Sequence, residues 1–449
     1  MHDHAHSPLQ IGTIAAGCQG YSRFTRRDVL KASAMVSGGL WLTRLAEQLA
    51  IASEKADDKQ KQTKSLLMIW LQGGPSQLET FDPHAGTKIG GDVKAISTAL
   101  KGIELADTMP ATAEQLHHAC LIRSMISKEG DHERATYHLK TGWRPDPTVV
   151  HPAIGSVLCH QSPNNIEIPR HISILPSQWP ARAGYLGPSL DAFQIGDPAE
   201  PIPNLSKRVP EEQMQTRLGP LLNTLESEFQ RGRLANLDRQ RTVHRTATER
   251  AVTMMSSEQL TAFNVKAEGA ETLNRFGDNP FGRGCLAAIR LLSAGVRCVE
   301  VELNGWDSHI NNHQFQSSQA KLLDSALAAT LSELAQRGLL DNTVVFCGGE
   351  FGRTPRINPA EGRDHWPHGF SVLLAGSGFR RGYVHGATAS EVDERADDLT
   401  KFTSDPVTVP DLHATLLSAL GVDYQQESMT PIGRPLRWSD GQSISKLLV

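Results

Sequence analysis

A run of six consecutive apolar residues, 66–71, ends at Gly73-Gly74-Pro75 and constrains the fold of this chain more than any other feature. A short apolar run without alternating polar residues is typical of a strand that is buried on both faces, and the glycines and the proline mark the loop that follows it. Similar runs recur along the chain, and they begin at Ala119, His171, Val296, Thr343 and Ser371. The sequence therefore predicts a central sheet whose two faces are both covered.

Helical patterns lie between these runs. Leucines at positions 323, 327, 331 and 334 form one apolar face, and leucines at 412, 416 and 420 form another, between Thr408 and Gly421. Strands that alternate with helices predict an α/β fold with a mostly parallel sheet and helices on both faces. Ligands of such folds bind at the carboxyl ends of the strands.

Residues 205–275 interrupt this alternation. The segment is polar and helix-prone, and no strand-like run divides it. We expect a helical insertion or cap within a single domain, residues 65–449, rather than a separate domain.

Bulk composition excludes some classes of partner. The net charge is −4, and hydrophobic and charged residues make up 39% and 21% of the chain, as in a globular protein. This charge is unlike that of a protein that binds nucleic acid or anionic lipid, so we expect neither as a partner. Histidine, with 18 residues, outnumbers Phe, Tyr or Trp.

The first 52 residues are expected to be a twin-arginine signal region. Residues 25–31, TRRDVLK, resemble the twin-arginine export signal, and an apolar run of about 11 residues follows, too short to span a bilayer as a helix. Residues 53–64 read as a charged linker, so the mature chain would have no membrane span and a periplasmic or extracellular location. The alternative is an ordinary amphipathic helix that follows a basic turn.

Cysteine usage gives no sign of a disulfide framework. Cys18 precedes the twin arginines, and the other five cysteines show no CxxC pairing. Buried free thiols are therefore the expectation, with one disulfide as the alternative in an oxidising compartment.

Three loops that border predicted strands carry carboxylates and imidazoles, the ligand types of divalent metal sites. These candidate ligands are Asp307, His309, His313, Glu350, Asp364 and His365. Oxygen and imidazole ligands that converge from separate strand ends suit a divalent ion, which we expect to be Zn, Mn or Ca. The alternative for any one loop alone is a hydrogen-bonded turn.

Other loops add candidates for catalysis. Asp131 and His132 follow the strand that begins at Ala119, although Asp131 there is also typical of a helix cap. Arg353 follows the strand that begins at Thr343. Its guanidinium suits a phosphate or sulfate group, or alternatively a neighbouring carboxylate.

The motifs GGPSQLETFDP, GWDSH, GEFGRTP, GRDHWP and VPDLHATLLSALGVD, taken together, resemble domain-of-unknown-function family 1501. This family is part of the alkaline phosphatase superfamily, which includes sulfatases and phosphoglycerate mutases. The resemblance covers residues 65–449 and implies an alkaline-phosphatase-like fold. It also implies one metal site of Asp307, His365 and either His309 or His313, with Glu350 as an acidic ligand of a second metal.

The chain also departs from the superfamily pattern. Counting back from the TGWRP segment puts His132 where the nucleophile would stand, so the usual Ser, Thr or Cys is missing. Gln72-Gly73 replaces the acid that ends the first strand, and Phe351 replaces a histidine expected after Glu350. Half of a two-metal clamp is therefore missing or rebuilt.

These observations favour an exported metal-dependent hydrolase that acts on a phosphate or sulfate ester of a small molecule or glycan. Metal-activated water would replace the absent nucleophile, and Arg353, His132 and Asp131 are the catalytic candidates. The alternative is a catalytically inactive, sulfatase-like binding or scaffold protein. Isomerase or transferase chemistry on a phosphorylated group rests on superfamily analogy alone.

Overall fold

The computed structural model describes residues 64–205, 209–230 and 243–449. The expected signal region, its twin-arginine motif at residues 25–31 and all but the last residue of the linker lie outside these described residues. Lys64–Val449 forms one compact unit.

The strands of this unit range from two to eight residues. In chain order they are β1 (Ser65–Gln72), β2 (Ala95–Ser97), β3 (Glu104–Ala106), β4 (Ala119–Ile126), β5 (His171–Ile174), β6 (Phe193–Ile195), β7 (Cys298–Asn304), β8 (Thr343–Gly348), β9 (Gly352–Arg353), β10 (His365–Trp366), β11 (Phe370–Gly376), β12 (Tyr383–His385), β13 (Ala387–Thr388), β14 (Thr403–Ser404), β15 (Val407–Thr408), β16 (Glu427–Met429) and β17 (Pro435–Arg437). All six predicted apolar runs are strands: β1, β4, β5, β7, β8 and β11.

Helices occupy most of the intervals between the sheet strands. In chain order they are α1 (Pro110–Gln115), α2 (His132–Thr141), α3 (Ile154–Gln161), α4 (Glu211–Gln230), α5 (Val243–Met255), α6 (Ala270–Phe276), α7 (Pro280–Ser293), α8 (Asn312–Gln336) and α9 (Val409–Ala419). The two predicted leucine faces belong to α8 and α9. Among the described residues, no helix is both long and apolar enough to cross a membrane.

A nine-stranded sheet forms the centre of the molecule. Its order is β12-β4-β11-β8-β1-β7-β5-β6. The short strand β15 pairs with Met125 and Ile126 at the end of β4, beyond the residues that pair with β12. The strand pairs are parallel except where β11 lies antiparallel to β4 and β8. The predicted mostly parallel sheet is therefore confirmed, with β1 between β7 and β8.

The central strand β1 is buried along its whole length because helices cover both faces of the sheet. Leu67, Ile69 and Leu71 pack in the core layer that includes α7 and α8. The alternate residues Leu66, Met68 and Trp70 pack in the opposite layer, with α3 and α9. This alternation explains why the run has no polar positions: both faces of β1 meet apolar side chains. The predicted arrangement of helices on both faces is confirmed.

The middle segment, residues 205–275, is mostly helical where it is described. It contains α4, α5, α6 and short 3₁₀ turns at Glu258–Phe263 and Val265–Ala267. Ala251 and Met254 of α5 line a cavity of about 420 Å³. Arg170, directly before β5, and Leu190, shortly before β6, line the same cavity. Because these residues are at the amino ends of two parallel strands, α5 lies at the end of the sheet that is opposite to the loops after β1, β7 and β8.

The five cysteines of the described residues are buried and free: Cys120, Cys159, Cys285, Cys298 and Cys347. Burial raises the pKa of Cys120 and of Cys159 to about 12, so these two thiols stay protonated at neutral pH. The expectation of buried free thiols is confirmed.

The amino-terminal cap of α9 makes a testable contribution to stability. The Thr408 hydroxyl accepts a hydrogen bond from the backbone N–H of Asp411. We expect Thr408→Ala to lower the free energy of unfolding by about 1 kcal/mol, measured by urea denaturation, because the first turn loses its acceptor. Thr408→Ser keeps the hydroxyl and serves as the control; an equal loss in both variants would contradict the cap.

Candidate metal centre

The loops that follow β1, β7 and β8 meet at one edge of the sheet. Gly73, directly after β1, has a φ of +116°, and a Cβ atom there would lie 2.6 Å from the backbone nitrogen of Asp307. The first loop can therefore contact the loop after β7 only with glycine at this position. This contact brings Asp307 to the ends of β1 and β8.

Arg353 joins these loops. Its guanidinium donates to the Asp307 carboxylate (Nη2 to Oδ1, 2.7 Å), to Gly74 O (2.9 Å), to Arg363 O (3.1 Å) and to Gly73 O. The side chain is completely buried. Because the guanidinium is enclosed and bonded to four oxygens, it orients Asp307 and does not face a substrate. The geometry thus favours the carboxylate-pairing alternative for Arg353 over the anion clamp.

Three histidines are oriented in the same way around Asp307. In each ring, Nδ1 lies within hydrogen-bond distance of an oxygen that only accepts: His132 with Glu350 Oε1 (2.7 Å), His309 with Asp364 Oδ1 (2.9 Å) and His365 with Gly130 O (2.7 Å). In a neutral ring, Nδ1 therefore carries the proton and Nε2 carries the lone pair. All three rings are set to act as ligands through Nε2.

The Nε2 atoms converge on the Asp307 carboxylate. His309 Nε2 lies 3.0 Å from His365 Nε2 and 3.1 Å from Asp307 Oδ1. His132 Nε2 is 3.4 Å from Asp307 Oδ2, and His365 Nε2 is 3.6 Å from Oδ1. Ligands about 2.0–2.1 Å from a tetrahedral zinc ion lie about 3.3 Å from one another. The distances among His132, Asp307 and His365 suit a metal ligand set, and these three residues form a possible metal-binding group. His309 lies outside that group but contacts Asp307 and His365.

Two buried polar atoms at the centre have no hydrogen-bond partner, His132 Nε2 and Glu350 Oε2. A buried polar atom without a partner costs about 1–3 kcal/mol, so such atoms are uncommon. A divalent cation beside His132 Nε2 would satisfy that atom. The residues present therefore fit a metal ion.

Glu350 and Asp364 take a different position from the one expected for direct ligands. Glu350 is fully buried behind His132, and its Oε1 also accepts from Gln72 Nε2 (3.1 Å) and from the Gly73 backbone (2.9 Å). Asp364 lies behind His309 in the same way. Carboxylates that accept from the distal nitrogen of a ligand histidine fix the tautomer and orientation of the ring. The structure thus places both acids outside the group of converging atoms.

The remaining candidates lie apart from this group. His313 is exposed in the first turn of α8, so of the two alternatives it is His309 that reaches the centre. Asp131 is exposed and caps α2 by accepting from the backbone N–H of Arg134 (3.2 Å). This is the helix-cap alternative for Asp131, whereas His132, expected as a catalytic residue, stands among the converging imidazoles.

Electrostatics keep Asp307 and His365 in forms that bind metals, whereas His132 holds its proton more tightly than an ordinary histidine and must release it to a metal. Burial lowers the pKa of His132, but the hydrogen bond and charge of Glu350, with the charge of Asp307, outweigh burial and leave that pKa raised. Burial and the positive charges of His132 and Arg353 lower the pKa of His365. Burial raises the pKa of Asp307, yet its hydrogen bond with Arg353 leaves that pKa lowered. Asp307 is therefore a carboxylate and His365 a neutral imidazole at neutral pH, as metal binding requires.

Sequence reasoning missed three neighbours of the centre. Gly130 contributes only a backbone carbonyl, for which residue type gives no signal. Phe351 packs against the rings of His132 (centroids 5.0 Å apart) and His365 (4.5 Å), where the sequence showed only a missing histidine. Trp179 stacks beside His132, with ring centroids 6.4 Å apart. The centre thus has an aromatic wall as well as a polar one.

Comparisons with known proteins give one family and no curated relative. The model of the family described as "Protein of unknown function (DUF1501)" matches residues 63–448, and no curated protein matches. Similar solved structures include the PsFucS1 sulfatase from Pseudoalteromonas sp., with 12% identity, a TM-score of 0.41 and coverage of 90% of this chain and 75% of that chain. Another is a protein in the alkaline phosphatase superfamily from Vibrio parahaemolyticus, with 12% identity, a TM-score of 0.34 and coverage of 81% and 67%. The family match includes the sheet and every loop of the candidate centre.

The hydrogen bond between Glu350 and His132 can be tested in the metal-free protein. We expect His132 to titrate above the ordinary histidine pKa and His365 below it, followed by NMR of chelator-treated protein with labelled histidines. Glu350→Gln removes the charge that stabilises the imidazolium, so the pKa of His132 should fall. A pKa of His132 that is unchanged by this substitution would contradict the pairing; the exposed His313 is the internal reference.

Proposed function

The chain belongs to this DUF1501 family of proteins of unknown function, and we propose that it is a metal-dependent hydrolase of a phosphate or sulfate ester. The observation that carries the proposal is the shared orientation of His132, His309 and His365. Each ring has its Nδ1 bound by an oxygen and its Nε2 turned towards Asp307. Three separate loops converge in this way, which supports a metal site over three unrelated turns.

The ligand set favours a particular class of ion. Three imidazoles and one carboxylate suit zinc or manganese, whereas calcium prefers oxygen ligands alone. When bound, such an ion acts as a Lewis acid on the ester and brings water closer to ionisation near neutral pH. His132, His309, His365 and Asp307 would hold it, and Glu350 and Asp364 would orient two of the rings.

The centre is open to solvent on one side. The side chains of Asp307 and His309 are 47% and 46% exposed, whereas those of His132 and His365 are 20% and 25% exposed. Water and an ester would therefore approach over Asp307 and His309. Arg353 donates to the Asp307 carboxylate from the buried side of the site. The Asp307 side chain is therefore held in place when an anionic ester binds.

His132 is the first residue of α2, at the position where the superfamily resemblance implies a nucleophile. An imidazole at position 132 supplies no hydroxyl or thiol for a covalent intermediate, so water is the proposed attacking group. The ester of a small molecule or glycan fits this open site, and Thr25 to Lys31 support export by the twin-arginine route.

Metal content gives the direct test. We expect the purified wild-type protein to hold about one zinc or manganese ion per chain, measured by elemental analysis after growth with both metals, because His132, Asp307 and His365 form one possible metal-binding group and His309 contacts two of its members. His309→Ala and His365→Ala should each abolish stoichiometric binding. His313→Ala, which removes an exposed histidine on the adjacent helix, is the matched control and should bind normally.

Activity separates the hydrolase from an inactive binding protein. Metal-loaded protein should hydrolyse one class in a panel of phosphate and sulfate esters, lose that activity with chelator and regain it with metal. Wild-type protein without a stoichiometric ion would overturn the proposal. Stoichiometric metal with no hydrolysis on the panel would instead favour the inactive, sulfatase-like binding protein.

The outer carboxylate of His309 should tune metal affinity. Asp364→Asn replaces the charged acceptor with a neutral amide, and we expect metal affinity to fall by about 10-fold to 100-fold, as when comparable outer partners are removed. Competition with a chromogenic chelator measures the change. Asp393→Asn, which alters an exposed carboxylate elsewhere, is the control, and equal affinities in the two variants would argue against the role of Asp364.

A further inference from the structure

The segment that follows β5, residues 175–180, combines several costly features. Leu175 has a φ of +56°, in the left-handed region that is unfavourable for a bulky residue. Pro176 and Pro180 restrict the backbone on either side of Ser177 and Trp179. Strained positions of this kind persist only where surrounding contacts hold them, and they are concentrated at functional sites.

A buried charge network holds the same segment. The ammonium of Lys140 donates to Glu300 Oε1 (3.0 Å), Glu302 Oε1 (3.0 Å) and the backbone oxygen of Trp179 (2.9 Å). Glu302 Oε2 accepts from the backbone N–H of Ser177 (2.8 Å). All three protons of the ammonium are used, and the network fixes the segment at two backbone positions.

This network fills the layer between the sheet and α2 with three ionisable groups, whose burial costs desolvation free energy. Lys140, Glu300 and Glu302 are each at most 4% exposed, and they place two carboxylates against one cation. Burial raises the pKa of Glu302 to about 7. Apolar side chains at these strand positions would avoid the desolvation of three charged groups. The network's particular result is the fixed position of residues 177 and 179.

Trp179 connects this segment to the metal centre. Its indole lies nearly parallel to the His132 ring, with an interplanar angle of 16° and centroids 6.4 Å apart, and it is half-buried. The segment therefore places a flat aromatic ring beside His132, one of the residues of the candidate site.

We propose that Trp179 is a specificity-determining residue that packs against a ring in the alcohol part of the ester, a pyranose or an aryl group. The phosphate or sulfate would lie at the metal centre while the ring lies against the indole, and Lys140, Glu300 and Glu302 are positioning residues. A rigid ring matches a rigid indole and loses less conformational freedom on binding than an acyclic chain. This inference rests on the proposed function and adds the substrate class to it.

Non-hydrolysable anions that differ only in the ring test the proposal. The probes are phenylphosphonate against methylphosphonate, and benzenesulfonate against methanesulfonate, titrated into metal-loaded protein by calorimetry. The wild type should bind the ring-bearing member of at least one pair more tightly. Trp179→Ala should weaken that member by about threefold to tenfold, the range of an aromatic pair, and change the methyl member by less than about twofold. Trp179→Phe should retain most of the preference.

Two further variants separate a direct role from a structural one. Glu302→Gln keeps the shape of the side chain but removes its charge, and it should reduce the ring preference while metal content and methyl-probe affinity stay unchanged. Trp143→Ala is the matched control, because Trp143 also stacks on a histidine, His151, at 5.0 Å, but beyond the far end of α2. It should leave the ring preference intact.

The outcomes distinguish this inference from the proposed function. If metal-loaded wild type binds methyl and ring probes equally, or if Trp179→Ala keeps the full preference, the role of Trp179 is overturned while the metal site stands. If wild-type protein holds metal but binds no member of either pair, both the anion site and the ring platform are overturned.

Discussion

The buried guanidinium of Arg353 holds together the loops on which the candidate site depends. It donates to the backbone oxygens of Gly73 and Gly74, which follow β1, and of Arg363, which precedes β10. It also donates to the carboxylate of Asp307, which follows β7. A buried cation needs oxygen partners to offset its desolvation, and these loops need a common donor. One interaction thus satisfies both requirements and fixes Asp307 where three histidine rings can reach it.

The second level of organisation is the outer oxygens behind the rings. Glu350, Asp364 and the carbonyl of Gly130 each bind an Nδ1 atom, so the orientation of the imidazoles is set before any ion arrives. Preorganisation of this kind lowers the free-energy cost of metal binding and, of the two neutral tautomers, favours the one with Nε2 free. In the proposed function, the imidazole of His132 serves as a ligand at the position where the superfamily resemblance implies a nucleophile, and water is the attacking group. The segment with Trp179 lies beside His132.

Much of the fold was predictable because burial on both faces leaves a simple pattern in the sequence. Strands such as β1 and β8 are largely continuous apolar runs, and α9 begins directly after Thr408, the residue whose side chain caps it. The candidate site was predictable only as a set of ligand-type residues in loops after strands. Residue type could not rank His309 above His313, since both follow β7 and either imidazole can bind a metal.

The sequence by itself determined that this chain forms a mostly parallel sheet covered on both faces, with carboxylates and imidazoles gathered at strand ends. Periodicity and turn residues are local, so they can be recognised without coordinates. Only the tertiary structure decided which imidazoles converge, that Glu350 stands behind His132, and that Arg353 faces inward. Those roles depend on distances of a few ångströms between loops far apart in the chain, and these distances follow from packing contacts such as that of Gly73 with Asp307.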